Sequence, residues 1–375
     1  MNKINLLMSL VKLIDYVVPK REKNIIFFSR PDYSDNCRAI YEKLIENTGD
    51  KYKITWVVQD IDKLKSDHPK IKFVKHRSLR SLWEMCRAHY IFRTHSFWGE
   101  IYVPNRQVMC YAFHGMGIKG FEYDIKDQYA RNSFDNFTVT SQLFAQMFAD
   151  NLNADVDRFI ITGLPRNDYL FVQPLELLDK LGLDSFDKRI IWMPTFRTNK
   201  LCNYTNGVSN ESGLPVITKH GLNIMDKILS KNNYCLIIKL HQWAAESIQG
   251  MWNNIKVLTD FDIPQPYTLY HLLGLMDVLL TDYSSVSTDF LLLNRPIGYV
   301  FDDLEEYKKT RYLPLDPIEN LMAGAKIHTE SDLFKFIENI DNDSFENERE
   351  RVAELFLKDR DDNSSERVLK AIGLI

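Results

Sequence analysis

The chain has 375 residues, 45% of them hydrophobic, and a formal net charge of -4. That length and apolar content suit two domains with separate cores, and the mild negative charge excludes a nucleic-acid partner held by bulk electrostatics. The five cysteines, Cys37, Cys86, Cys110, Cys202 and Cys235, lack CxxC spacing. They read as reduced, mostly buried thiols of a cytosolic protein.

The segment 1–23 is apolar and basic but has no small-residue cleavage site. No apolar run of about 18 residues follows it, so no transmembrane helix is expected. Ile4, Leu7, Val11, Ile14 and Val18 recur at helical spacing, flanked by Lys3, Lys12, Lys20, Arg21 and Lys23. This pattern fits an amphipathic helix at a membrane surface facing anionic headgroups, and equally a helix packed on its own domain.

From Asn24 onward, β-rich runs alternate with helical patterns. The predicted strands are 24–29, 54–59, 71–76, 90–95, 108–115 and 136–141, then 159–163, 190–196, 235–241, 255–260, 277–282 and 297–301. Helices are expected at 36–46, 79–86 and 270–276, and near the end at 331–340, 346–357 and 365–372. Such alternation predicts an α/β protein of parallel sheets covered by helices. Twelve strands exceed one open sheet, so two Rossmann-like domains are expected, 24–175 and 176–375, with the break between Leu170 and Lys188. The polar stretch 196–213 reads as a mobile loop.

Ligands of parallel sheets bind beyond the carboxyl ends of the strands, which directs attention to the residues that follow each strand. CYAFHGMGIKG ends a strand at His114 and continues with Gly115, Gly117 and Lys119. The glycines allow close backbone approach and the lysine suits a phosphate. ITGLPRND presents Arg166 from a proline turn, and WMPTFR presents Thr195 and Arg197. LIIKLHQ places Lys239 and His241 on one side of a strand. DVLLTDYSS runs from a buried strand through Thr281 and Asp282 into Ser284 and Ser285 at a helix start, where free N–H groups and hydroxyls suit a phosphate. Asp282 and Asp289 read as structural or orienting. Arg295, before Pro296, reads as a packed or anion-binding arginine. The chain has no GxxxxGK[ST] loop, no GxGxxG after its first strand and no HExxH or acidic cluster, so a P-loop kinase, a dinucleotide dehydrogenase and a metal site are not indicated.

These motifs together resemble the CDP-glycerol glycerophosphotransferase family of teichoic-acid and capsule synthesis. YSDNCRAIYEKL is similar to its early asparagine segment, HGMGIK to HGTPxK, TGLPRND to GxPRND, MPTFR to its APTWR-type motif and KLHQ to KxHP. TDYSSVSTDFLLLNRP is its most specific signature, and DDLEEYKKTRYLPLD with MAG resembles its late region. The match runs from about Asn24 to Phe336. The departures are Met116-Gly117 for Thr-Pro, Gln242 for the proline after the second histidine, and Ala323-Gly324 for Pro-Gly.

The resemblance implies a glycosyltransferase-B-like fold, two Rossmann-like domains facing a cleft, with CDP-glycerol as donor and no cofactor or metal. An acceptor hydroxyl attacks the β-phosphorus and CMP leaves. His114 is implied as general base and His241 as a contact to the transferring phosphate. Ser284 and Ser285 would hold the pyrophosphate, and Arg295 or Arg311 would neutralise the leaving group. Arg166, Arg197, Lys239, Thr281 and Asp282 complete the implied donor side, and Gly324 lies in the late motif. The implied partners are a polyprenyl-linked glycan acceptor and the inner face of the cell membrane. A CDP-ribitol transferase, a nucleotide-sugar glycosyltransferase and a non-catalytic binding protein are the alternatives.

Overall fold

In the computed structural model, the β-rich runs form two parallel sheets. The structure describes residues 11, 13–95, 106–119, 134–195, 198–199, 204–205, 212–240, 248, 250–310 and 313–375. By internal contacts the chain divides into one unit of residues 1–114, 123–168 and 357–375, and a second of 115–122 and 169–356.

The sheet of the first unit contains β1 (Arg21–Phe28), β2 (Lys53–Val58), β3 (Phe73–Lys75), β4 (Ala88–Arg93), β5 (Val108–Tyr111), β6 (Asn136–Val139) and β7 (Phe159–Ile161). Their order is β3-β2-β1-β4-β5-β6-β7. Helices such as Asp35–Thr48, Leu79–Arg87 and Gln142–Leu152 supply the crossovers that parallel pairing requires. Polar caps start two of them: the Ser78 and Ser141 side chains accept the N–H groups of Ser81 and Phe144. Phe27, near the carboxyl end of β1, stacks on Trp56 and Phe92 of the flanking strands at 5.1 and 4.9 Å. Such central strands are buried on both faces, which is why they read as continuous apolar runs.

The second unit repeats the plan. β8 (Lys188–Met193), β11 (Tyr234–Lys239), β12 (Ile255–Leu258), β13 (Val278–Thr281), β14 (Ile297–Val300) and β15 (Ala325–Ile327) lie in the order β12-β11-β8-β13-β14-β15. A small antiparallel pair, β9 (Thr198–Asn199) and β10 (Tyr204–Thr205), stands apart within 196–213; most of that expected loop lies outside the described residues. In each unit the first strand sits inside the sheet and the chain winds outward in both directions. This is a Rossmann order, and it creates a switch point between β1 and β4 in the first unit and between β8 and β13 in the second.

All twelve expected strands are present. β15 was not expected: it is a three-residue edge strand with Lys326 at its centre, too short and too polar to stand out. Residues 13–17 are helical, but 1–10 and Lys12 lie outside the described residues, so the full amphipathic helix is not established. Val11 and Val18 pack with Leu82 and Met85 of the first unit, while Leu13, Tyr16 and Val17 are exposed. Lys20 pairs with buried Asp15 and donates to the Cys86 carbonyl at 2.7 Å.

The last helix, Ser364–Ile372, returns to the first unit. Val368, Leu369 and Leu374 share a core with Ile40 and Leu44. Asp168 fastens its start: the N–H groups of Ser364 and Ser365 both donate to the carboxylate at 2.9 Å. Burial pushes that carboxyl up to about 6 against the pull of these donors.

Candidate functional site

The first unit builds its polar centre beside the β1–β4 switch point. Past the end of β4, Thr94 is buried and its N–H donates to the Phe28 carbonyl at 3.1 Å. The Thr94 carbonyl lies 3.3 Å from Nδ1 of His114. A carbonyl can only accept, so this bond places the ring proton on Nδ1 and leaves the Nε2 lone pair free to take another. Burial pulls the His114 pKa below its usual range, Asp35 opposes that and Arg166 reinforces it. The ring is therefore held in its neutral, basic form at pH 7.

Asp35 and Asn36 hold this loop from the start of the helix Asp35–Thr48. Asn36 is fully buried. Its Nδ2 donates to the carbonyls of Phe113 at 2.7 Å and Ala112 at 3.4 Å, and its Oδ1 accepts the Arg166 N–H at 3.0 Å. The Asp35 carboxylate accepts the Asn36 N–H at 2.8 Å and the Arg166 guanidinium at 3.0 Å. Asp35 has a positive φ of 59°, a conformation uncommon for a non-glycine residue that these two bonds stabilise. Arg166, expected on the donor side, is thus tied to Asp35 in the first unit.

The second unit gathers polar groups at its own switch point. The Asp282 carboxylate, after β13, accepts the Thr195 N–H at 2.9 Å and the Thr195 hydroxyl, so it bridges the ends of β13 and β8. This agrees with an orienting role. The Thr281 hydroxyl donates to the Met193 carbonyl at 2.9 Å across the same pair of strands. The helix after Ser285 differs from expectation. It spans only Val286–Phe290 before tightening to a 3-10 turn at Leu291–Leu293, and Ser285 makes no side-chain cap. So short a helix has little dipole, and an anion there would be held chiefly by the hydroxyls and N–H groups of Ser284 and Ser285.

The residues that follow His114 in sequence belong to this second unit. A Cβ on Gly115 would lie 2.7 Å from Ser285 Oγ, and one on Gly117 would lie 3.0 Å from its Cβ and 3.2 Å from its Cα. Glycine at both positions lets the backbone lie against Ser285. Lys119 sits 5.9 Å over the Tyr307 ring, which in turn stacks at 3.8 Å on Tyr283 of the TDYSS segment.

Other expected donor residues are engaged within the fold. Lys239 pairs with Asp260 at 2.8 Å. The Arg295 guanidinium donates to the carbonyls of Gly274 and Met276 at 2.9 and 2.6 Å, which makes it a packed arginine. A Cβ on Gly324 would meet the Ile297 carbonyl oxygen at 2.1 Å, so glycine there serves close backbone packing. Asp289 accepts the Tyr270 hydroxyl. Arg197, His241 and Arg311 lie outside the described residues. Cys37, Cys86, Cys110 and Cys235 are free and buried. Among the described residues, no cluster of three or more His, Cys, Asp or Glu side chains has metal-binding geometry, and no helix is long and apolar enough to cross a membrane.

Comparison with known proteins decides the family. The model of CDP-glycerol:poly(glycerophosphate) glycerophosphotransferases matches residues 10–374. The chain belongs to this family. As a glycerophosphotransferase it is 28% identical to a teichoic acid poly(glycerol phosphate) polymerase of Bacillus spizizenii, over 80% of this chain and 79% of the relative. It is 25% identical to a teichoic acid ribitol-phosphate primase of the same organism, over 96% and 94%. Its fold is similar to that of the wall teichoic acid polymerase TagF, with a TM-score of 0.79 at 20% identity, covering 99% of this chain and 92% of that one.

His95 is the polar residue at these strand ends that motif reasoning passed over. Its signal was available: it ends the run YIFRTH, and the rule about carboxyl ends of strands applies to it as well as to His114.

Proposed function

We propose that this glycerophosphotransferase moves glycerol phosphate from CDP-glycerol to a hydroxyl of a polyprenyl-linked glycan or polyol-phosphate acceptor. The observation that supports this reading best is the Nδ1 bond of His114 to the Thr94 carbonyl, which leaves Nε2 as a base in a chain matched by the family over nearly its whole length. The acceptor hydroxyl gives its proton to Nε2 as its oxygen bonds to the β-phosphorus. The bond from that phosphorus to the bridging oxygen breaks, and CMP leaves with the electron pair. Ser284 and Ser285 hold the pyrophosphate, and His241 contacts the transferring group. Charge on the leaving CMP falls to Arg295 or Arg311; in Arg295, Nη1 also donates to two carbonyls.

Calorimetric titration without added metal tests the donor. Saturable heat with CDP-glycerol, and none with CDP-ribitol or UDP-GlcNAc, is the expected result. Binding of CDP-ribitol alone would make the protein a ribitol-phosphate transferase, and binding of UDP-GlcNAc alone would remove the reading altogether.

A membrane-borne acceptor implies a membrane-surface enzyme on the inner face of the cell membrane. Exposed Leu13, Tyr16 and Val17, near basic Arg21 and Lys23, support that placement. Sedimentation with vesicles containing anionic phospholipid should carry down the full chain, and removal of residues 1–18 should leave it in the supernatant. Equal sedimentation of both forms would reduce the segment to a packing element.

A further inference from the structure

His95 belongs to none of the motifs above and has no part in the proposed chemistry. It follows Thr94 beyond the end of β4, at the switch point of the first sheet. Its ring lies parallel to that of His114, with centroids 4.6 Å apart and planes inclined by 4°. Two tethers fix it there. Its Nδ1 lies 2.9 Å from the Thr94 hydroxyl oxygen, and its carbonyl accepts the Arg93 guanidinium at 3.2 Å. Arg93 is itself buried and lies 4.4 Å over the Tyr111 ring. Thr94 thus serves both imidazoles, with its carbonyl on His114 and its hydroxyl on His95.

We propose that His95 is a positioning residue for His114: a fixed imidazole plate that holds the plane of the base and keeps water from one of its faces. This rests on the reading of His114 as the base. The charged groups that act on the pair are Asp35 and Arg166 at His114, and Asp35, Arg30 and Arg93 at His95. Burial, followed by His114 itself, pushes His95 down to about 4, so it stays uncharged at neutral pH. Two imidazoles this close cannot both carry a proton without strong repulsion. A neutral ring face beside His114 instead tolerates the imidazolium that forms when Nε2 takes the acceptor's proton. His95 takes no proton in the step.

The test uses two variants of the full chain, His95→Ala and His95→Phe, with two independent readouts. Imidazole NMR gives the titration midpoint of His114 whether or not the enzyme turns over. Kinetics with CDP-glycerol gives kcat and KM. In His95→Ala, water reaches the exposed ring face. The His114 midpoint should then rise toward the ordinary value of about 6.5, and kcat should fall by about tenfold with donor KM unchanged. His95→Phe restores a flat plate and should return both toward wild type. An unmoved midpoint or an unchanged kcat in His95→Ala overturns the proposal, as does a phenylalanine variant as impaired as the alanine one. Failure of the base reading is distinguishable: His114→Gln would then keep its activity, while the NMR midpoint still reports on the stack.

Discussion

Replacement of His114 by glutamine is expected to lower the transfer rate by about 10²–10⁴-fold, the usual contribution of a general base, while CDP-glycerol binding measured by calorimetry is unchanged. The side chain sits among Thr94, His95 and Phe113 and carries no large part of the core, so the thermal melt should barely move. In the wild-type enzyme the base is active when Nε2 is unprotonated. Burial lowers the pKa of His114, so the neutral ring persists to lower pH than in an ordinary histidine. Activity is full above that lowered pKa and is lost as pH falls through it, and the acid limb of kcat/KM should lie below the usual value of about 6.5. A limb at or above that value, or wild-type rates in His114→Gln, would take the base role from this residue.

The second large effect belongs to a residue with no chemistry of its own. Asn36→Ala removes the donor to the Phe113 and Ala112 carbonyls and the acceptor of the Arg166 N–H. Each buried group left unpaired costs roughly 1–3 kcal/mol, and some will find water. A loss of about 3 kcal/mol is expected, or a fall in Tm on the order of 6–12 °C for a unit of this size. Transfer should fall further than stability alone explains, measured well below the new Tm, because the loop that carries His114 loses its tie to the helix Asp35–Thr48. Asn36→Asp keeps the acceptor but not the donor and should not restore either property. A Tm within a degree of wild type together with an unchanged kcat would mean that the loop is held by other contacts.

Much of this arrangement was legible in the sequence because it is local. The apolar runs that became β1, β8, β11 and β13 are buried on both faces, so they stand out without knowledge of their neighbours. The rule that ligands meet the carboxyl ends of parallel strands then pointed to His114, Thr195 and Asp282–Ser285 directly. The same rule would have reached His95, but motif likeness drew attention past it. The run SVSTDFLLL after Ser284 is apolar enough to read as one helix, but only Val286–Phe290 is α-helical. The chain then tightens to a 3-10 turn at Leu291–Leu293 and ends at Asn294, which is left-handed with φ 47°.

The α/β class, the alternation of strands with crossovers, the ordered motifs of the glycerophosphotransferase family and the residues that end its strands are all readable from the sequence. Those features depend on side-chain periodicity and on neighbours a few positions apart. Packing in the folded chain sets Val368 and Leu369 against Ile40, since an amphipathic helix carries no address for its partner. The same packing ties Arg166 to Asp35, sets Arg295 Nη1 against two carbonyls, and lets Thr94 orient one histidine and anchor another. Asp35 and Arg166 are far apart in sequence, and no local pattern encodes such a pairing. It is made by the segments that follow β1 and β7, strands that the sheet order separates by three others, so it depends on how those segments fold back over the sheet.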